Sequence, residues 1–302
     1  MNDDSPVDIF DRALHRRRRE RAAPGLARHD FLLREIGDRL LDRLDDVRRR
    51  FRRVLLLGGT PDMASRLWRR AGVELVVAAD PAAAVARSLS RPAVVADEEF
   101  VPFRDGAFDL VVAPPGLHWV NDLPGSLLQL RRTLEPDGLF LAALPGGDTL
   151  FELRRALMEA ETSALGGLSP RISPMVGVRD AGGLLQRAGF SLPVVDTDRL
   201  TIAYGDPWKL LEDLRGAGET NAVKARRRVP ATRALIGEAM RLYRQHFEEP
   251  DGRVPATVEV IYLTGWSPAD SQPQPLRRGS ATGRLADALR TSELPGGAKA
   301  GS

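Results

Sequence analysis

The chain has 302 residues, 43% of them hydrophobic and 28% charged, with no cysteine and a formal net charge of only +3. That is enough apolar material for a substantial soluble core. It excludes disulfides and thiolate metal sites and fits a reducing compartment. No apolar run approaches the roughly 20 residues needed to span a bilayer, so no transmembrane segment is expected.

The first feature in chain order is the basic run DRALHRRRRER, with Arg12, Arg16, Arg17, Arg18, Arg19 and Arg21. Residues 1–29 read as a basic N-terminal arm. It is either a solvated helix or a contact for an acidic partner, nucleic acid or a membrane surface. Asp3, Asp4, Asp8 and Asp11 argue against an organelle transit peptide, and no apolar secretory segment is present. The expected location is the cytoplasm.

Residues 30–50 carry Phe31, Leu32, Ile36, Leu40, Leu44 and Val47 at helical spacing, with Asp30 placed to cap the start. Strands and helices then alternate. Strands are predicted at 53–57, 73–79, 92–96, 108–113 and 138–144, and helices at about 61–71, 81–89 and 123–134. Short continuous apolar strands are those of a sheet covered on both faces. Residues 192–205 and 256–266 alternate apolar and polar side chains and are predicted to pair as an antiparallel hairpin, with a helical insert at about 206–248 between them. The expected fold is α/β, a doubly wound, mostly parallel sheet over residues 30–266. From Ser267 the Pro, Gly, Ser, Ala and Arg content predicts a largely disordered tail, 267–302.

The loop after the first strand, LLLGGTPDM, stands where such folds bind an anionic or nucleotide-type ligand, but it is short of glycines. Thr60 can cap the next helix, Pro61 suits its first position and Asp62 complements its dipole. The loop therefore reads equally well as a self-sufficient helix start that an anion would find occupied. Asp80 ends the second strand, where an acid can take ribose hydroxyls or simply cap a helix. Asp97 follows the third strand and could accept from an adenine amino group. After the fourth strand His118 and Trp119 sit at the carboxyl edge of the sheet, with Asn121 or Asp122 as a helix cap. Asp148 follows two glycines after the fifth strand, in a segment that is either a wall of the same cleft or a capped helix start. The four histidines, 15, 29, 118 and 246, show no metal-ligand spacing, and no metal site is expected. Neither a G-x-S-x-G elbow nor a P-loop lysine signature is present.

FDLVVA, LEPDGLFLAAL, Asp80 and Asp97 in this order resemble a class I S-adenosylmethionine-dependent methyltransferase domain. DIFDRALHRRRRERAA, ADEEFVPF, LHWVNDLPGSL, PGGDTLFELR, the ISP at 172–174, VDTDRLTIAY, DGRVPAT and RGSAT narrow the resemblance. Together they are similar to the complex I (NADH dehydrogenase) assembly-factor methyltransferase-like family of arginine hydroxylase type. A more distant similarity is to the biotin-pathway malonyl-carrier-protein methyltransferase. The resemblance implies a seven-stranded Rossmann-like sheet, S-adenosylmethionine as cofactor, and the quinone-site iron–sulfur subunit of NADH dehydrogenase as partner, met at the inner face of the membrane. It implies no nucleic acid. It places the Gly58 backbone, Asp80, Asp97, Leu117 and His118 along the cofactor cleft. The family's first loop is an acid, an apolar residue, then G-x-G-x-G. Here Leu56 replaces the acid, Thr60 the second glycine and Asp62 the third, so cofactor binding is expected to be weak or lost. His118, Trp119 and Asp148 are the candidate cleft residues for chemistry. The alternatives are a carrier-protein or small-molecule methyltransferase and a non-catalytic assembly chaperone.

Overall fold

The computed structural model describes residues 8–273, 287, 290 and 291. The chain separates into two units, Met1–Ala269 and Asp270–Ser302, and the first contains the whole sheet. The disorder expected of the tail lies, beyond Pro273, almost entirely outside the described residues.

Seven strands form one sheet: β1 Arg53–Leu57, β2 Leu75–Asp80, β3 Ala93–Val95, β4 Phe108–Ala113, β5 Leu134–Pro145, β6 Ser191–Tyr204 and β7 Val254–Trp266. Their order is β3-β2-β1-β4-β5-β7-β6, with β1 to β5 parallel and β7 antiparallel to both neighbours. The apolar runs of the central strands have a direct physical cause: both faces are covered. Leu55, Leu57, Val111 and Phe140 pack on one face beneath α5 (Leu123–Thr133) and α7 (Val178–Arg187). Leu56, Val54, Leu110 and Leu139 pack on the other beneath α2 (Phe31–Asp42) and α3 (Pro61–Trp68). The insert between β6 and β7 comprises α8 (Pro207–Gly216) and α9 (Arg233–Phe247), and α9 packs on α6 (Phe151–Leu165) in a third apolar cluster.

Three local expectations are corrected. The helix expected over 30–50 ends at Asp42 and gives way to turns. Leu44 is nonetheless buried and Val47 packs on the same cluster, so the apolar period outlasts the helix. Asp30 does not cap α2; its carboxylate pairs with Arg34 Nε at 2.9 Å. The arm is not a solvated appendage. It forms α1 (Arg12–Ala22) and a 3-10 turn over Ala23–Arg28, and α1 packs against α4 (Ala83–Leu89).

Candidate functional site

The strand order reverses direction between β1 and β4, the place where open α/β sheets take their ligands. The loop leaving β1 turns through Gly58 and Gly59, with φ of +74° and +91°. A Cβ on Gly59 would stand 3.1 Å from both Met63 Sδ and Pro114 Cγ, so backbone conformation and space both require glycine there. Thr60 then caps α3, its hydroxyl accepting from the Met63 N–H at 3.3 Å, with Pro61 and Asp62 in the first turn. The loop's capping chemistry is thus satisfied from within. Leu56, in the place of the family's acid, is fully buried against α2 and α3.

Along the sheet edge, α1 lies over the acids that end β2 and follow β3. Its residues Arg12, His15 and Arg19 fall on one helical face at i, i+3 and i+7 and point inward, while Arg16, Arg17 and Arg21 are exposed. Arg19 Nη2 donates to Asp80 Oδ2 at 2.6 Å, and Asp80 Oδ1 also accepts from the Ala82 N–H at 2.8 Å. The side chains of this pair are 8% and 1% exposed. Burial alone would lower the Arg19 pKa, but the carboxylates of Asp80, Glu219 and Glu98 outweigh it and raise the pKa. Arg12 Nη2 lies 2.5 Å from Asp97 Oδ1 and also pairs with Glu98. Burial raises the Glu98 pKa, with Arg12 opposing. Glu20, on the same helix, accepts from the Ala84 N–H at 3.0 Å. Phe10 anchors the N-terminal end: its N–H donates to Asn121 Oδ1 at 2.7 Å and it bridges Val223. Two arginines of the basic arm, Arg12 and Arg19, thus find their acidic partners within the chain, at Asp97, Glu98 and Asp80.

Behind α1, Glu219 gathers three donors. It accepts from Trp119 Nε1 at 2.7 Å and His118 Nε2 at 3.3 Å, with Arg19 Nη1 at 3.6 Å. Burial pushes the Glu219 carboxyl up, but His118, His15 and Arg19 bring it down to about 2. His15 stacks on Trp119 with ring centroids 4.7 Å apart, and burial lowers its pKa to about 3. His118, Trp119, Arg19 and Glu219 form one end of a cavity of about 690 Å³. Its other walls are Phe31, Leu32 and Ile36 of α2, Leu150 and Leu153 at the start of α6, and Tyr204, Trp208 and Leu211 at the insert. A second histidine–carboxylate pair, His29 Nδ1 with Asp213 Oδ1 at 2.8 Å, also lines it.

Of the residues expected at the site, His118 and Trp119 line this cavity. Asp80 and Asp97 lie under α1, outside it, with Asp80 fully covered, and Gly58 stands beside Asp80. Leu117 is buried in the core beneath the sheet edge. Asp148 is not in the cavity wall: its carboxylate is 67% exposed, 4.0 Å from Arg199. The Glu259 carboxylate accepts from the Asp148 N–H at 3.0 Å and turns that loop toward β7. Asp122, not Asn121, caps α5, through the Gly125 N–H at 2.8 Å. Glu219 and Asp213 are absent from the sequence reading, which names Arg12 and Arg19 only as part of the basic arm and His29 only as a histidine without metal-ligand spacing. Among the described residues, no group of three or more His, Asp or Glu side chains is placed to hold a metal ion.

A methyltransferase domain family matches residues 42–142. The human mitochondrial arginine-hydroxylase NDUFAF5 is 41% identical over 283 residues, covering 91% of this chain and 82% of the relative. The chain belongs to the NDUFAF5 arginine-hydroxylase family. The zebrafish (Danio rerio) member is 38% identical over 95% of this chain and 92% of its own. A malonyl-[acyl-carrier protein] O-methyltransferase of Halorhodospira halophila is 37% identical over 78% of this chain and 81% of its own. Among solved structures, the YcgJ protein of Bacillus subtilis superposes with a TM-score of 0.52 at 14% identity, over 76% of this chain and 98% of its own. The chain thus has the class I methyltransferase fold, an S-adenosylmethionine-binding type of architecture.

Proposed function

We propose that the chain is a protein arginine hydroxylase of the NADH dehydrogenase assembly-factor type. It acts on an arginine of the quinone-site iron–sulfur subunit, from the cytoplasm at the inner face of the membrane. In this reading it does not depend on methyl transfer, and its affinity for S-adenosylmethionine is weak or absent. The observation that carries the reading is the pairing of Arg19 with Asp80 and Arg12 with Asp97. The two acids that would take the cofactor's ribose and adenine already have guanidinium partners. Separating a buried, hydrogen-bonded pair is costly, which favours the closed arrangement over an incoming ligand. Leu56, Thr60 and Asp62 at the first loop act in the same direction, so the residues present do not fit the cofactor. The vertebrate arginine hydroxylases are 38–41% identical over more than nine-tenths of the chain, whereas the carrier-protein methyltransferases are 33–37% identical over 78–86% of it.

In this account the chain's own residues position a protein side chain. The apolar, aromatic walls of the 690 Å³ cavity exclude water from it. Glu219 holds His118 and Trp119 in fixed orientation at the cavity's end. The test is deletion of the gene, followed by mass spectrometry of the quinone-site subunit. Loss of the one-oxygen mass increment from an arginine is the expected result. Normal hydroxylation alongside failed assembly would replace this reading with the non-catalytic chaperone. Retention of Asp80 and Asp97 favours the carrier-protein methyltransferase as the second reading. That enzyme would have to bind S-adenosylmethionine tightly.

A further inference from the structure

A second concavity, of about 320 Å³, lies between the end of α6, the start of α9 and the loop over residues 227–232. Leu165 and Val229 line it and are 46% and 63% exposed, a high apolar exposure for a groove floor and lip. Arg171 and Ala231 belong to the walls of both this groove and the large cavity. The two spaces are thus separated by a single layer of side chains. Arg171 is held there by Glu161 at 2.6 Å, and its buried Nε–H has no acceptor.

Most charges around the groove are paired, but two arginines are not. Arg227, in the groove wall, and its chain neighbour Arg228, which lies outside that wall, are exposed and make no hydrogen bond or ion pair among the described residues. Their neighbours differ: Arg226 pairs with Asp11 at 3.2 Å and Lys224 with Asp8, so the loop's backbone is anchored while its two outward arginines remain free. Glu238 also lines the groove, but Arg241 holds it in two hydrogen bonds of 2.9 and 2.7 Å, which neutralises it.

We propose that this groove docks an extended, acidic segment of the protein substrate, with one apolar side chain seated against Leu165 and Val229. Carboxylates of that segment pair with Arg227 and Arg228, and the chain continues past Arg171 toward the large cavity. The proposal rests on the reading of the chain as an enzyme acting on a protein. A concavity of about 320 Å³ that shares wall residues with the larger cavity suits an extended polypeptide rather than a lipid surface or a nucleic-acid duplex. Free arginines provide the charge complementarity and the steering.

Fluorescence anisotropy of a labelled peptide of alternating glutamate and leucine, titrated with the full chain, tests the docking directly. The expected result is saturable binding that weakens with added salt. The double variant Arg227→Glu, Arg228→Glu should weaken it at least about tenfold. Val229→Asp should also weaken it, as should replacing leucine by serine in the peptide. Arg132→Glu, remote from the groove, is the surface control, and thermal melting confirms that each variant is folded. Equal binding by the double variant, or by a peptide with lysine for glutamate, overturns the proposal. So does stronger binding of phosphatidylglycerol vesicles than of the peptide, if the same arginines carry it. In cells, hydroxylation of the target arginine should fall in the double variant, and unchanged hydroxylation rejects this groove as the substrate's dock. Should the wild-type chain support no hydroxylation at all, the functional reading fails, while the anisotropy result still decides the groove.

Discussion

Arg19 of the N-terminal helix and Asp80 at the end of the second strand form a buried, hydrogen-bonded ion pair across 61 residues of sequence, with Nη2 2.6 Å from Oδ2. The pair has two consequences. It attaches the basic helix to the sheet, and it occupies the acid that our proposal assigns to a cofactor's ribose. Arg12 repeats the arrangement at Asp97, two helical turns away.

Breaking the pair from either side should cost stability. Arg19→Met leaves a carboxylate that is 1% exposed without its cation, and a buried charge stripped of its partner costs about 3–5 kcal/mol. For a domain of this size that is a fall of very roughly 6–20 °C in melting temperature. The double variant Arg19→Met, Asp80→Asn should recover part of the loss. A single variant that melts with the wild type would show the pair to be energetically idle.

Acid should loosen the N-terminal helix before it unfolds the sheet. His15 is held neutral, its pKa lowered from the ordinary 6.5 to about 3 by burial. Between those values the unfolded chain binds the extra proton, so His15 makes stability fall as pH drops below about 6.5. Glu219, lowered to about 2 from its ordinary 4.5, adds a loss that begins below about 4.5, as its unfolded form protonates. The urea midpoint should therefore decline from pH 7 to pH 5. His15→Phe, which keeps the stack on Trp119, should flatten that limb. An equally steep decline in the variant would remove His15 as its source.

The sheet was legible in the sequence because each central strand is a continuous apolar run too short for a helix; β1 and β4 fall at the expected residues. The end of α2 was not, because Leu44 stays in the core after the helix has stopped and so extends the helical pattern. The site was half legible. Asp80 and Asp97 can be placed by their strands, and Arg12, His15 and Arg19 already lie on one helical face. A face of that composition reads as solvated until its carboxylate partners are known, and these lie 61 and 85 residues away. Nothing near Glu219 marks it, since its donors come from α1 and from the segment after β4.

The first loop should behave as a structural turn. Gly59→Ala places a side chain at φ +91°, 3.1 Å from Met63 and Pro114, and should destabilise by at least about 1 kcal/mol. Thr60→Ala removes the cap of α3 at a cost of about 1 kcal/mol. Chemical denaturation with and without S-adenosylmethionine should return the same differences. A loss seen only with the cofactor present would assign the loop to ligand binding instead.

Calorimetric titration of the full chain with S-adenosylmethionine decides whether Arg12 and Arg19 keep Asp97 and Asp80 from the cofactor. The expected result is no measurable binding, or a dissociation constant weaker than about 100 μM. A dissociation constant in the low micromolar range would contradict it.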